Sequence, residues 1–221
     1  MKDLLFIREV LMPPLLEGLM VTLRLIFYSI PFGLLMGIII ATGRVYGNRL
    51  ISFLCRAYVV IFKGTPLLML LFVIYFGLPS MGISFQPFTA AVIGFVICNG
   101  AYNSEYIRGA ILSVRSGQLM AAEALGMTRK QAVISIILPQ AMRRALPGIS
   151  NEIIYLIKYS SLAYMLTCIE LTGAGKIVAS RYFKFTLVFL VIGAFYLALV
   201  TIAGRILGLL EKKLQIPGLI K

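Results

Sequence analysis

Histidine is absent from the chain, aspartate occurs once, at Asp3, and charged residues make up only 13% of the 221 positions. Without histidine there is no His-dependent triad and no His-ligated zinc enzyme, which removes most intramembrane enzymes. No Gly-x-x-x-x-Gly-Lys-Ser/Thr segment is present to cradle a nucleotide phosphate. The three cysteines, Cys55, Cys98 and Cys168, stand far apart in apolar surroundings and form neither a disulfide framework nor a metal motif. They read as small buried hydrophobes.

What the chain has in excess is apolar residues, 60% of the total, with a mean hydropathy of +0.97. A soluble domain is about half apolar and a quarter charged. The surplus has to face lipid, so the sequence predicts an all-α integral membrane protein. The net charge of +13 invites comparison with nucleic-acid binders, but those cluster their basic residues on one face. Here the basic residues are spread along apparent loops, where they set membrane topology.

Five spans are expected, over 18–42, 53–76, 88–112, 149–169 and 186–210. The acidic start, with Asp3, Glu9 and Glu17, lacks the basic n-region of a removable signal peptide. Pro31 is expected to kink the first span, and Arg24 to snorkel from it. From Gly64 to Ser104 there is no charge for 41 residues. As one helix that stretch would extend about 60 Å, twice the hydrocarbon core, so it has to double back. Gly77-Leu78-Pro79-Ser80, Gly82 and Pro87 mark the tip of the hairpin, and Lys63-Gly64-Thr65-Pro66 is expected to bend the second span. Pro147-Gly148 is expected to break the chain before the fourth span, and 170–184 to be a loop before the last.

Counting Lys and Arg in and beside the loops gives the orientation. With the amino terminus outside, thirteen fall on the inner side, among them Arg44, Arg49, Arg56, Arg129, Lys130, Arg143 and Arg144. Only five fall outside. The C-terminus and the long polar connection 113–146 are then cytoplasmic.

That connection carries the most specific pattern in the chain. Leu119 to Leu125 is rich in Ala, Leu and Met and is predicted to be helical, with Gly126 as a left-handed terminator. Arg129 and Lys130 follow, then an apolar ramp stopped by Pro139. Ala121, Ala122, Gly126, Ile136, Leu138 and Pro139 resemble, at matching spacing, the cytoplasmic coupling loop of ATP-binding-cassette importer permeases. Met120 stands where that signature has Glu, and Glu123 is the nearest acid.

The blocks Lys63 to Pro79, AYNSEYIRGAI, SVRSGQ, AAEALGM, IILPQA, LPGISNEII, LIKYSSL and ELTGAG are similar to those of polar-amino-acid importers, in order and spacing. The resemblance covers nearly the whole chain. It implies a MetI-like permease core of five transmembrane helices with a cytoplasmic coupling helix, in a prokaryotic inner membrane. It implies transport and no enzyme activity of this chain's own. ATP and Mg belong to two ATP-binding subunits, and substrate comes from an extracytoplasmic binding protein. Gly117, Ala121, Ala122, Glu123, Leu125, Gly126 and Met127 are the residues expected to meet the ATPase. Met120 favours a second, different permease over a homodimer. Tyr159 stands where relatives often carry an acid.

Two polar stretches inside the spans are candidates for a substrate path, because ionisable groups there cost about 2.5–3.5 kcal/mol to insert. Asn99 and Asn103 share one face of the third span, and Tyr102, Glu105 and Arg108 an adjoining one. The fourth span carries Glu152, Lys158, Ser160 and Ser161 and should line the bundle interior. Glu105 is expected to receive a substrate ammonium, and Lys158, Ser160 and Ser161 a carboxylate. The alternative for Glu105 is an ion pair with Arg108 or Lys158. An alternative for the whole chain is a secondary carrier or small channel, but no internal repeat of that kind is visible.

Overall fold

The computed structural model describes residues 2–214, and every regular element among them is helical. Helix α1 is Asp3–Tyr46, α2 is Arg49–Gly64, and α3 is Leu67–Met81. Helix α4 is Pro87–Ser113, α5 is Ser116–Ala124, α6 is Arg129–Leu166, α7 is Leu171–Tyr182 and α8 is Phe185–Leu214. Of the basic tail, Lys221 lies outside the described residues.

Two of these helices, α1 and α8, are long and apolar enough to cross a membrane on their own. Two bent pairs, α2 with α3, broken by 104°, and α6 with α7, broken by 55°, are each long and apolar enough to be one span when taken together. The fifth is α4. Its 27 residues extend about 40 Å, enough for the core, and its polar second half is tolerated because the other helices surround it. At 44 residues α1 reaches about 66 Å, so its amino-terminal turns, with a π-helical segment at Phe6–Leu11, project beyond the hydrocarbon.

Helices α1 and α4 share the largest interface in the molecule. Gly33 and Gly37 are one turn apart on α1 and lie directly over Asn99 and Asn103 of α4. A Cβ at Gly33 would meet Asn99 Oδ1 at 2.5 Å, and one at Gly37 would meet Asn103 Cβ at 2.7 Å. Small residues at this spacing let two membrane helices approach closely, and here they seal the asparagines under α1.

Three breaks expected from sequence differ in the structure. The ramp Ile134–Leu138 is not stopped by Pro139, because a π-helical turn at Val133–Ile137 precedes it. Such a turn shifts the hydrogen-bond register where a proline cannot donate, and Gln140 Nε2 takes up the Ile136 carbonyl at 3.0 Å. Pro147-Gly148 lies within continuous helix, since packing on α4 holds the segment helical and the proline removes one donor only. The stretch expected as a loop over 170–184 is largely α7. Glu170 caps it, accepting from the Thr172 and Gly173 amides at 2.9 Å each. The hairpin tip matches expectation: Leu78–Met81 is a 3-10 turn, Gly82 takes φ +82°, and Pro87 opens α4.

The buried apolar residues form three clusters. One surrounds Phe95, Leu71 and Leu156 in the middle of the bundle. A second, with Ile107, Ile137 and Ala141, anchors the α5 end. A third, with Leu11, Leu15, Leu171 and Val188, closes the opposite end. The outer face of α8 is open, with Leu190, Leu197 and Leu209 each more than two-thirds exposed. That surface requires lipid or another subunit against it.

Candidate functional site

A cavity of about 580 Å³ opens where α2 breaks away from α3. Lys63 to Leu67 form one wall at the break, α4 contributes Cys98, Tyr102 and Tyr106, and α6 contributes Glu152, Tyr155 and Tyr159. Pro66 and Gly64 dictate the opening, because proline cannot continue the ladder and the residue before it is driven out of the helical region. Thr65 has ψ +130° accordingly.

Among the described residues Glu152 is the one carboxylate lining this cavity, and it is 3% exposed. Its Oε1 accepts from the Tyr159 hydroxyl at 3.0 Å and from Asn99 Nδ2 at 3.5 Å. Asn99 in turn accepts from Asn103 Nδ2 at 2.5 Å. This chain ends at Asn103, whose acceptor Oδ1 is buried without a partner among the described residues, as is Ser150 Oγ. No cation among the described residues forms an ion pair with Glu152. The ammonium in the lining is that of Lys63, whose Nζ lies 5.2 Å from the centre of the Tyr102 ring. No ion pair is therefore made with Glu152 among the described residues, and this buried carboxylate and the exposed Lys63 line the same cavity together with Tyr102, Tyr106, Tyr155 and Tyr159.

The candidates named from sequence divide between this site and two others. Asn99 and Asn103 lie behind it rather than in its lining: Asn99 donates to Glu152, and Asn103 donates to Asn99. Glu105 does not line the cavity. Its Oε1 is bonded to Arg44 of α1 and its Oε2 to Arg108, the latter at 2.9 Å from Nη2. Both carboxylate oxygens are occupied, which is the ion-pair alternative with Arg44 added. Lys158 is exposed and is not in the lining, but it lies at 5.2 Å over the ring of Tyr155, which is part of it. The hydroxyls of Ser160 and Ser161 donate to the carbonyls of Ile157 and Lys158, at 2.7 and 2.9 Å.

Lys63, Tyr102, Glu152, Tyr155 and Tyr159 of the cavity are assigned no substrate role from the sequence, although Tyr102 and Glu152 fall in its two polar stretches. A signal for the three α6 positions exists, since Glu152, Tyr155 and Tyr159 step by three and four along one helix face. For Lys63 there is none beyond its place at the break.

The expected coupling segment forms α5 and its cap. Met127 N donates to Ala122 O at 3.1 Å and Gly126 N to Glu123 O at 3.0 Å, with Gly126 at φ +85°. These two bonds and the left-handed glycine make a Schellman terminus. The helix body is thus Ser116–Ala124, and Leu125, Gly126 and Met127 are its cap and exit. Ala122 is 2% exposed and anchors α5 to the bundle. Gly117, Ala121, Glu123, Leu125 and Gly126 stay exposed, and a Cβ at Gly117 or Gly126 would meet nothing. Thr128 and Gln131 then exchange hydrogen bonds as a capping box that starts α6.

A polytopic helical bundle with a polar cavity at a helix break and a small helix held outside the bundle defines a membrane permease. Residues 29–216 match the family described as binding-protein-dependent transport system inner membrane component, and the chain belongs to that family. It is 39% identical over 201 residues to the probable amino-acid ABC transporter permease protein YckA of Bacillus subtilis (strain 168), covering 91% of this chain and 89% of that one. It is 38% identical to the nopaline transport system permease protein NocM of Agrobacterium fabrum, covering 90% of this chain and 87% of that one. Against the putative glutamine transport system permease protein GlnP of Rickettsia bellii the identity is 37%, with coverages of 90% and 92%. A crystal structure of an amino acid ABC transporter with histidines superposes with TM-score 0.82 at 34% identity, over 91% of this chain and 94% of the other. The MetNI methionine ABC transporter, in an inward facing conformation, shares the fold with TM-score 0.78 at 22% identity, over 94% of this chain and 99% of the other. The chain is thus a multi-pass membrane protein with a MetI-like permease fold.

Proposed function

We propose that this chain is the membrane-spanning subunit of an ATP-driven importer of polar amino acids, and that the cavity at Glu152 is its substrate path. The observation that carries the reading is the unpaired couple of one buried carboxylate and one ammonium in a single cavity. An amino acid brings an ammonium and a carboxylate, and each has to replace its water with a protein partner. Glu152, held by Tyr159 and Asn99, receives the ammonium, and Lys63 faces the carboxylate. The tyrosine rings supply an apolar wall with polar edges for the remainder. The relatives named above, carriers of amino acids, nopaline and glutamine by their names, support this substrate class. Glu105 then ties α1 to α4, and Lys158, Ser160 and Ser161 form a neighbouring part of the α6 wall.

The amino terminus lies outside and α5 in the cytoplasm, as the Lys/Arg bias requires. There α5 docks in a cleft of each of two ATP-binding subunits, which bind and split ATP; this chain carries no such chemistry and is not an enzyme. A binding protein delivers the amino acid from outside. Because Met120 is exposed and uncharged where the importer signature has Glu, a second permease that keeps the Glu pairs with this one.

Reconstitution of the complex with its binding protein in proteoliposomes tests the reading. Amino-acid uptake should require internal ATP. Gly126→Arg, which destroys the left-handed cap and crowds the docking face, should leave ATP hydrolysis but abolish uptake. Uptake driven by an ion gradient without ATP would instead make the chain a secondary carrier, and full uptake by the Gly126→Arg variant would remove α5 from the coupling.

A further inference from the structure

A second cleft, of about 470 Å³, lies between the end of α1 and the start of α6, beside the coupling helix. Its chemistry is divided along its length. The inner part is hydrocarbon: Ile38, Val133 and Leu138 form the floor, while Ile39 and Ile134, each 54% exposed, form its outward lips. Thr42, midway, adds no free donor, because its hydroxyl is spent on the Ile38 carbonyl at 2.7 Å. At the mouth stand Arg129, Lys130 and Tyr46, with the Arg129 guanidinium 5.8 Å from the Tyr46 ring centre.

The two cations are uncompensated. Among the described residues no acid lines the cleft, and none of the ion pairs involves Arg129 or Lys130. Arg44 and Arg108, at the same end of the bundle, are by contrast both paired with Glu105. Eight residues separate Ile38 from Tyr46, so the apolar trough extends about 12 Å from the cationic mouth along the helix axis. An occupant therefore needs an anion at one end and a hydrocarbon tail at the other, in that order from the aqueous side inward.

We propose that this cleft is a binding site for an anionic phospholipid of the cytoplasmic leaflet. The phosphate lies between Arg129 and Lys130, the headgroup edge meets Tyr46, and one acyl chain occupies the trough between Ile39 and Ile134. Charge complementarity selects this occupant: a neutral lipid leaves the two cations unpaired, and a free anion leaves the trough open to water. The site lies where the connection from the coupling helix enters the membrane, so the lipid braces the start of α6 against α1. The inference rests on the orientation given above in placing this end of the bundle at the cytoplasmic membrane–water interface.

Native mass spectrometry of the intact complex, purified in mixed phosphatidylglycerol and phosphatidylcholine, reads the site directly. The wild type should retain phosphatidylglycerol in preference to phosphatidylcholine. Replacing both cations, Arg129→Gln with Lys130→Gln, should lower phosphatidylglycerol retention roughly thirty-fold, from the usual worth of two basic residues at a lipid surface. Ile39→Trp, which fills the trough and keeps both charges, should displace the lipid by an independent route. Equal retention of the two lipids by the wild type would overturn the proposal, as would unchanged retention in both variants. Loss of the ATP-binding subunits from the double variant with phosphatidylglycerol still bound would assign Arg129 and Lys130 to the ATPase contact instead. None of these readouts depends on uptake, so failure of the transport reading would leave them interpretable.

Discussion

Glu105 and Glu152 are both acids set in membrane helices, and the structure gives them opposite surroundings. Glu105 is about a quarter exposed and has each oxygen bonded to an arginine, one from α1 and one from its own helix. Glu152 is 3% exposed and bonds to a hydroxyl and an amide, with no cation paired to it among the described residues. A carboxylate with both oxygens satisfied by guanidinium groups has little left to offer a ligand, and its removal strands two charges. A buried carboxylate stabilised by neutral donors keeps its charge available to whatever cation enters the space beside it. If Glu152 lines the substrate path as proposed, what separates it from Glu105 is the partner set, since residue type and placement in a membrane helix are shared.

The first way to break the comparison is to disturb the donors behind Glu152 without touching its charge. Gly33→Leu would drive a side chain into Asn99 Oδ1 and push α1 off α4. Overpacking of this kind costs about 1–3 kcal/mol. We expect a lower melting temperature of the solubilised complex and loss of uptake together, and a variant with unchanged melting would show that α1 does not seal the site.

A smaller effect sharpens the assignment of the second charge. Lys63→Gln removes the ammonium facing the cavity while keeping most of its length and the helix break. Hydrogen bonds to charged groups are worth about 1.5–3 kcal/mol, so kcat/KM for uptake should fall roughly ten- to a hundredfold. The loss should be carried mainly by substrates with a free carboxylate, with amides of the same amino acids affected less.

The smallest effect belongs to Lys158, which is exposed and rests on a tyrosine face. Exposed cation–π contacts contribute about 0.5–1 kcal/mol. Lys158→Gln should change uptake by less than about fivefold, and a loss at the hundredfold end of that expected for Lys63→Gln would return Lys158 to the substrate path.

Hydropathy and turn chemistry make much of this fold legible in the sequence. The doubling back between Gly64 and Ser104 follows from length alone, and the Gly126 terminator from its place after an Ala-rich helix. What the sequence does not reveal is set by contacts distant along the chain. Arg44 lies 61 residues from Glu105, so nothing local distinguishes a paired acid from a free one. Glu170 converts a glycine-rich stretch into α7 by capping it, and burial under α1 and α8 then keeps the segment helical, against the weak propensity of Gly173 and Gly175. Pro139 and Pro147 resemble terminators because proline breaks isolated helices. Inside a bundle, tertiary packing and a π-turn absorb the lost donor.

The central claim is that the two acids do different work, and a paired neutralisation tests it most directly. Glu105→Gln and Glu152→Gln should each be assayed in the reconstituted complex for uptake and for thermal stability. Glu152→Gln should keep the complex assembled and near its normal melting temperature while uptake falls at least tenfold. Glu105→Gln should lower the melting temperature while uptake per folded complex stays close to normal. The reverse pattern, with uptake lost in Glu105→Gln at normal stability and retained in Glu152→Gln, would contradict the account.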